Sequence, residues 1–171
     1  PVVVYHLRDG AFRNTAFATD YAFDANAQER LGGGVLFFGA SCIFDNYNTV
    51  QNTFSNLYRG IDNWSLNGIT SATVNSCVFT NVSFGVTLDG VRGDKISGCT
   101  FDTDNNLSSF TSLMNHIQTR KSGGYLITEN NLKKTVGTVQ NSFAINADNT
   151  EEMGCEIYKN TFRDVVWGLE T

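Results

Sequence analysis

Three stretches of the chain carry one signature: residues 51–61 read QNTFSNLYRGI, 76–86 read SCVFTNVSFGV and 159–169 read KNTFRDVVWGL. In each, a Phe is followed two residues on by Asn or Asp, and six residues on by Gly60, Gly85 or Gly168. An internal repeat constrains a fold strongly, because a unit this short buries its apolar face only by stacking on its neighbours.

The repeat runs beyond the signature. The anchors Phe54, Phe79, Phe101, Leu132 and Phe162 are spaced by 25, 22, 31 and 30 residues. Two residues before them stand Asn52, Cys77, Cys99, Asn130 and Asn160. Upstream, Val86, Gly93, Ile96, Cys99 and Phe101 lie at offsets 7, 10, 13 and 15, as do Ile117, Gly124, Ile127, Asn130 and Leu132. Trp64, Ser71, Val74, Cys77 and Phe79 fit the same offsets, which puts Trp64 at an inward position. The last copy keeps Gly154, Ile157, Asn160 and Phe162, with Ala147 or Ile145 as its first member. Before Phe54 the register blurs: GVLFFGASCIF has strand character, and residues 1–34 show no clean copy.

Stretches such as DKISGCTF and YLITENNL alternate apolar and polar residues, the period of a strand, and Gly and Asn punctuate them as turns do. Strands repeating once per unit and stacking ~4.8 Å apart make a parallel β-helix. The expected fold is therefore all-β: a single-stranded parallel β-helix (solenoid) of about 5–6 coils. Residues 1–34 form an N-terminal coil or capping segment, and 35–171 the repeats, continuing past the chain end. Val74, Ile96, Ile127 and Ile157 form one inward ladder and the anchors another. Stacked Asn52, Asn130 and Asn160, with Cys77 and Cys99, satisfy buried amides at a corner. Cys77 and Cys99 read as small interior side chains in that ladder rather than as a disulfide.

GVTLDGVRGDKISGCTF and EIYKNTFRDVVWGLE resemble the right-handed parallel β-helix repeats of large secreted bacterial surface proteins, especially those exported by Bacteroidota through the type IX system. Pectin-lyase-like enzymes share the architecture more distantly. The resemblance covers about residues 35–171. It implies a right-handed coil and a secreted or cell-surface location, and it implies little about activity, because this architecture hosts lyases, hydrolases, tailspikes, adhesins and stalks.

Net charge is −5 and the sequence pI about 4.9, without a basic stripe, which argues against nucleic acid as a partner. No apolar run approaches the ~20 residues of a membrane span. The four Cys lack a CxxC spacing, and His6 and His116 lie far from them in sequence, so a zinc site is not indicated. The opening PVVVYHLRDG and the close WGLET read as the ends of a piece of a longer chain.

Chemistry has few places to sit. The connection from Phe79 to Val86 takes 7 residues, that from Phe101 to Ile117 takes 16 and that from Leu132 to Ile145 takes 13, so two neighbouring coils bulge at one corner. Leu107, Phe110, Leu113 or Met114, and Ile117 have helical spacing, suggesting a short helical turn there. Asp102 and Asp104 in FDTDNN are candidate calcium ligands, without the downstream Gly and Glu of a calcium loop; no other cofactor is expected. Tyr58, Phe84 and Trp167 stand just before glycines and are the candidate ligand surface, with carbohydrate as one possible partner. No residues form a catalytic constellation. The expected function is a structural or adhesive rod whose partners are flanking domains or other surface proteins. The alternatives are a polysaccharide-active lyase or glycoside hydrolase, and a trimeric tailspike-like fragment.

Overall fold

The computed structural model describes residues 2–6, 8–18, 33–46, 48–65, 70–103, 114–134, 142–148 and 154–171. Among them the regular structure is seventeen β-strands and no helix, and the strands pair in parallel. The strands fall into three rows. The first runs β1 (Val2–Tyr5), β4 (Gly33–Phe38), the second halves of β6 (Thr53–Trp64) and β8 (Val78–Asp89), then β11 (Met114–Arg120), β14 (Ser142–Asp148) and β17 (Trp167–Glu170). The second is a six-stranded sheet of β2 (Gly10–Arg13), β5 (Cys42–Asp45), β7 (Ala72–Asn75), β9 (Lys95–Ser97), β12 (Leu126–Thr128) and β15 (Glu156–Tyr158). The third comprises β3 (Ala16–Ala18), the first halves of β6 and β8, then β10 (Thr100–Thr103), β13 (Asn131–Lys134) and β16 (Thr161–Arg163). β6 and β8 span two rows and join them into one eleven-stranded sheet. The chain visits the rows in turn and returns one strand further along, an arrangement consistent with a parallel β-helix.

Equivalent residues stack directly. Phe17, Phe54, Phe79, Phe101, Leu132 and Phe162 are consecutive partners in the third row. Phe12, Phe44, Val74, Ile96, Ile127 and Ile157 are consecutive in the second. The rings of Phe17, Phe54, Phe79 and Phe101 lie nearly parallel, with centroids 4.8, 4.7 and 4.5 Å apart. This burial of apolar area from three sides is the main stabilising term. At the ends of the stack the same rows open to solvent. In the row Val2, Val35, Ile61, Val86, Ile117, Ile145, Leu169, the interior members are at most 2% exposed, whereas Val2 is 42% and Leu169 47% exposed.

The signature now has a physical account. Its Asn or Asp, at Asn56, Asn81 and Asp164, turns the chain between rows with φ of 56°, 54° and 57°, a left-handed conformation that Asn and Asp adopt more readily than most residues. Asn81 Nδ2 also donates to Asn56 Oδ1 at 3.2 Å, linking the two turns. Its Gly is a matter of space. A Cβ on Gly60 would lie 2.5 Å from the Gly85 carbonyl oxygen and 2.9 Å from the Phe79 ring. Gly34 stands in the same relation to Gly60 and Phe54, and Gly85 to His116 and Phe101. The glycine of one rung thus makes room for the ring of the next.

A second corner lies just before the anchors. There Asn14, Ser76, Gly98, Glu129 and Lys159 all have φ between 52° and 61°. The next residue is Thr15, Cys77, Cys99, Asn130 or Asn160, and in the asparagine rungs the side chain caps the strand ends. Asn130 Oδ1 accepts from Cys99 N at 2.9 Å, and Asn130 Nδ2 donates to Ile96 O at 3.1 Å and to Asn160 Oδ1 at 3.0 Å. Asn52 Oδ1 likewise accepts from Thr15 N at 2.9 Å. Buried backbone groups that a turn would leave unpaired are satisfied this way.

Several expectations require correction. Trp64 does not share the inward position of Val86 and Ile117; the register gives that place to Ile61 and pairs Trp64 with Asp89. The longer connection after β6 shifts the offset by three residues. Of the two first members open to the last copy, Ile145 is the partner of Ile117. Met114–Arg120 is a strand, so the helical spacing through Met114 and Ile117 does not describe a helix there. Residues 2–18 contribute a strand to each of the three rows. The connections 104–113 and 135–141 lie outside the described residues, as does Asp104, but their flanks align: Thr103 pairs with Lys134 and Met114 with Ser142.

Candidate functional site

Inward residues of the first row alternate with outward ones two apart on each strand. The outward set forms two parallel columns. One runs Tyr5, Phe38, Trp64, Asp89, Arg120, Asp148, and the other Leu36, Asp62, Thr87, Gln118, Asn146, Glu170. The first column begins as an aromatic ladder. Tyr5 stacks on Phe38 with centroids 5.2 Å apart, and Phe38 meets Trp64 edge-on at 6.1 Å. Tyr5 is 65% and Trp64 46% exposed. Neighbouring rungs are polar, so an aromatic strip runs directly into carboxylates.

Asp62 is the nearest acidic group on the adjoining column, and its Oδ2 is paired with the Arg59 guanidinium. Burial raises the Asp62 pKa above the usual carboxylate range; Arg59 opposes this and the Asp89 charge adds to it. The Asp89 charge thus acts on the buried Asp62 carboxyl beside Trp64.

The expected ligand surface is only partly brought together. Tyr58 and Phe84 touch edge-on at 5.4 Å, with the Arg59 guanidinium 5.8 and 5.7 Å from their ring centroids. Both rings are half-buried. Trp167 sits in the Phe84 column but three rungs away, through Asn115 and Phe143, and its ring stacks with Phe143 at 6.3 Å. Three rungs are about 14 Å of sheet, so Trp167 does not share a patch with Tyr58 and Phe84. Asp102 pairs with the Lys133 ammonium at 2.7 Å. Among the described residues, no three His, Cys, Asp or Glu groups gather as metal ligands would.

Among the interior titratable groups that the sequence does not mark are His116 and Asp94. His116 occupies the place that Gly85 holds on the preceding rung, and its ring continues the aromatic stack 5.7 Å from Phe101. Burial lowers its pKa to about 4, so it is a neutral ring, hydrogen-bonded to Thr103 Oγ1 at 3.2 Å. Asp94 is 1% exposed, and its Oδ1 accepts from Ala72 N at 2.6 Å and Asn63 Nδ2 at 3.1 Å. Burial raises its pKa from 3.8 to about 7. The folded state therefore holds this proton more tightly than the unfolded chain. The contribution is fully present below pH 3.8 and is lost as pH rises towards about 7. At about 1.4 kcal/mol per pH unit, the loss approaches roughly 4 kcal/mol. Thermal unfolding of the native chain and Asp94→Asn between pH 4 and 8 measures it: the difference in Tm between them should grow with pH in favour of Asn. A pH-independent difference would contradict the assignment.

No helix among the described residues is long and apolar enough to cross a membrane. No protein-family model, curated protein or solved structure matches the chain.

Proposed function

We propose that the chain is a right-handed parallel β-helix segment of about six coils from a secreted or cell-surface bacterial protein. It serves as a structural and adhesive rod that binds carbohydrate on its aromatic strip. The observation that carries this reading is the ladder Tyr5–Phe38–Trp64 on the outer face of the first row, with Tyr5 and Trp64 exposed, Phe38 half-buried between them and Asp89 on the next rung. Exposed aromatic rings aligned along a rigid face suit the apolar faces of sugar rings, and the part-exposed Asp89 carboxylate suits their hydroxyls. The stacked ladders, which use most of the distinctive residues for packing, favour a rod. Its proposed partners are flanking domains or other surface proteins. The likeness to Bacteroidota repeats exported by the type IX system belongs to this proposal.

Isothermal titration calorimetry with soluble polysaccharides tests the reading. Trp64→Ala should weaken binding about tenfold or more, and Trp167→Ala should leave it unchanged. Equal binding by native chain and Trp64→Ala would remove the strip from consideration.

One observation favours a second reading, a polysaccharide-active enzyme of the pectin-lyase-like kind. Asp62 and Asp89 lie on neighbouring rungs two positions apart, roughly 8 Å between α-carbons by sheet geometry, within reach of a carboxylate pair that acts on a glycosidic bond. Release of reducing ends or unsaturated sugars, lost in both Asp62→Asn and Asp89→Asn, separates the enzyme from the adhesin.

A further inference from the structure

The corner ladder changes chemistry midway. Asn52, Asn130 and Asn160 carry amides, and the two consecutive rungs between Asn52 and Asn130 carry the thiols of Cys77 and Cys99. Amide rungs are linked to each other: Asn160 Oδ1 accepts from both Asn130 N and Asn130 Nδ2 at 3.0 Å. The thiols make long sulfur hydrogen bonds to carbonyls. Cys77 Sγ donates to Asn75 O at 3.5 Å, and Cys99 Sγ to Ser97 O at 3.4 Å and Val74 O at 3.5 Å. The two cysteines are direct neighbours. Their following residues, Val78 and Thr100, pair in register, and Thr100 N donates to Cys77 O at 2.9 Å. Adjacent rungs separate the α-carbons by ~4.8 Å, inside the window of about 4.4–6.8 Å that a disulfide spans. Cys42 has Gly10 and Ala72 as its in-register neighbours, so it lacks such a partner.

We propose that Cys77 and Cys99 are an oxidisable pair that closes a disulfide across successive rungs, supplying the covalent counterpart of the amide link. Both thiols are at most 1% exposed in the folded chain, and the neighbouring thiol and burial hold Cys77 far above the usual thiol pKa. Closure therefore belongs to folding, before the rungs seal. The oxidant is a small-molecule disulfide. The Cys77 thiolate attacks it, forming a mixed disulfide and releasing one small thiolate. The Cys99 thiolate then attacks the Cys77 sulfur and releases the second. Two protein thiols lose two protons and two electrons, and the small disulfide is reduced to two thiols. A secreted or surface chain folds where such oxidants persist.

The test refolds the full chain in a reduced/oxidised glutathione buffer, blocks remaining thiols by alkylation and maps peptides without reduction. The expected result is a crosslink between Cys77 and Cys99, with two of the four cysteines alkylated. The Tm should exceed that of the chain refolded in reductant by roughly 5–10 °C. The double variant Cys77→Ala, Cys99→Ala should fold and show one Tm in both buffers. Four alkylated cysteines after oxidative refolding, a pairing that involves Cys42 or Cys155, or a Tm gain retained in the double variant would each overturn the proposal.

Discussion

Ile96→Asp should leave the chain unfolded at 25 °C. Ile96 is 1% exposed and lies between Val74 and Ile127 in the second-row ladder. A carboxylate there would be ionised without a partner or protonated at a cost, and would also forfeit the packing of Ile96 with both neighbours. Burying an unpaired charge ranks among the few substitutions expected to exceed about 4–5 kcal/mol, and with the lost packing this removes much of the roughly 5–15 kcal/mol that holds a domain folded. Far-UV circular dichroism and urea titration read the effect. Ile96→Val, which removes one methyl from the same place, should cost only about 1 kcal/mol. A cooperatively folded Ile96→Asp variant would show that Ile96 is not in the interior.

Gly85→Ala should be the second large effect, although it adds a single methyl group. Its Cβ would sit 2.5 Å from the His116 carbonyl oxygen and 2.6 Å from the Phe101 ring. Neither can retreat: the carbonyl belongs to the adjoining strand β11, and the ring is stacked on Phe79 at 4.5 Å. Overpacking of this kind costs about 1–3 kcal/mol and sometimes more. Gly168 ends the last copy of the signature, where the nearest atom a Cβ would meet is in Phe162, at an ordinary 3.5 Å. Gly168→Ala should change stability by no more than about 0.5 kcal/mol. Urea midpoints for the two variants decide the matter. Equal midpoints would mean that the glycines are not there to admit the next ring.

These glycines show what could be read in the sequence and what could not. The Phe, Ile and Asn ladders were legible because a solenoid places equivalent side chains against each other, so identity recurs at fixed offsets. Trp64 was misplaced because offsets hold only while connections keep their length, and the connection from Trp64 to Ala72 is longer than that from Asp89 to Lys95. Burial followed the register of Ile61, not the count back from Phe79. The first strands were illegible for a different reason. Phe12 and Phe17 extend two ladders, but the turn between them uses Asn14 and Thr15 where later rungs use Gly98 with Cys99 or Glu129 with Asn130, so no motif repeats. The candidate site was the least legible. Tyr5, Phe38 and Trp64 are 33 and 26 residues apart in sequence and become a strip only through pairing. The raised Asp94 and lowered His116 depend on burial, which no local pattern announces.

The stack itself is tested most directly by one distance. Ile43, Thr73, Lys95, Leu126 and Glu156 are consecutive partners in the second row, and Ile43, Lys95 and Glu156 are exposed. Spin labels at Ile43→Cys and Glu156→Cys, in a chain whose native cysteines are replaced by Ala, can be measured by pulsed electron–electron resonance. Their attachment points are 113 residues apart in sequence and four rungs apart in the stack, which places them ~19 Å from each other. A narrow distribution near that value is the expected result. A broad distribution, or one centred beyond about twice that distance, would contradict the in-register parallel stack.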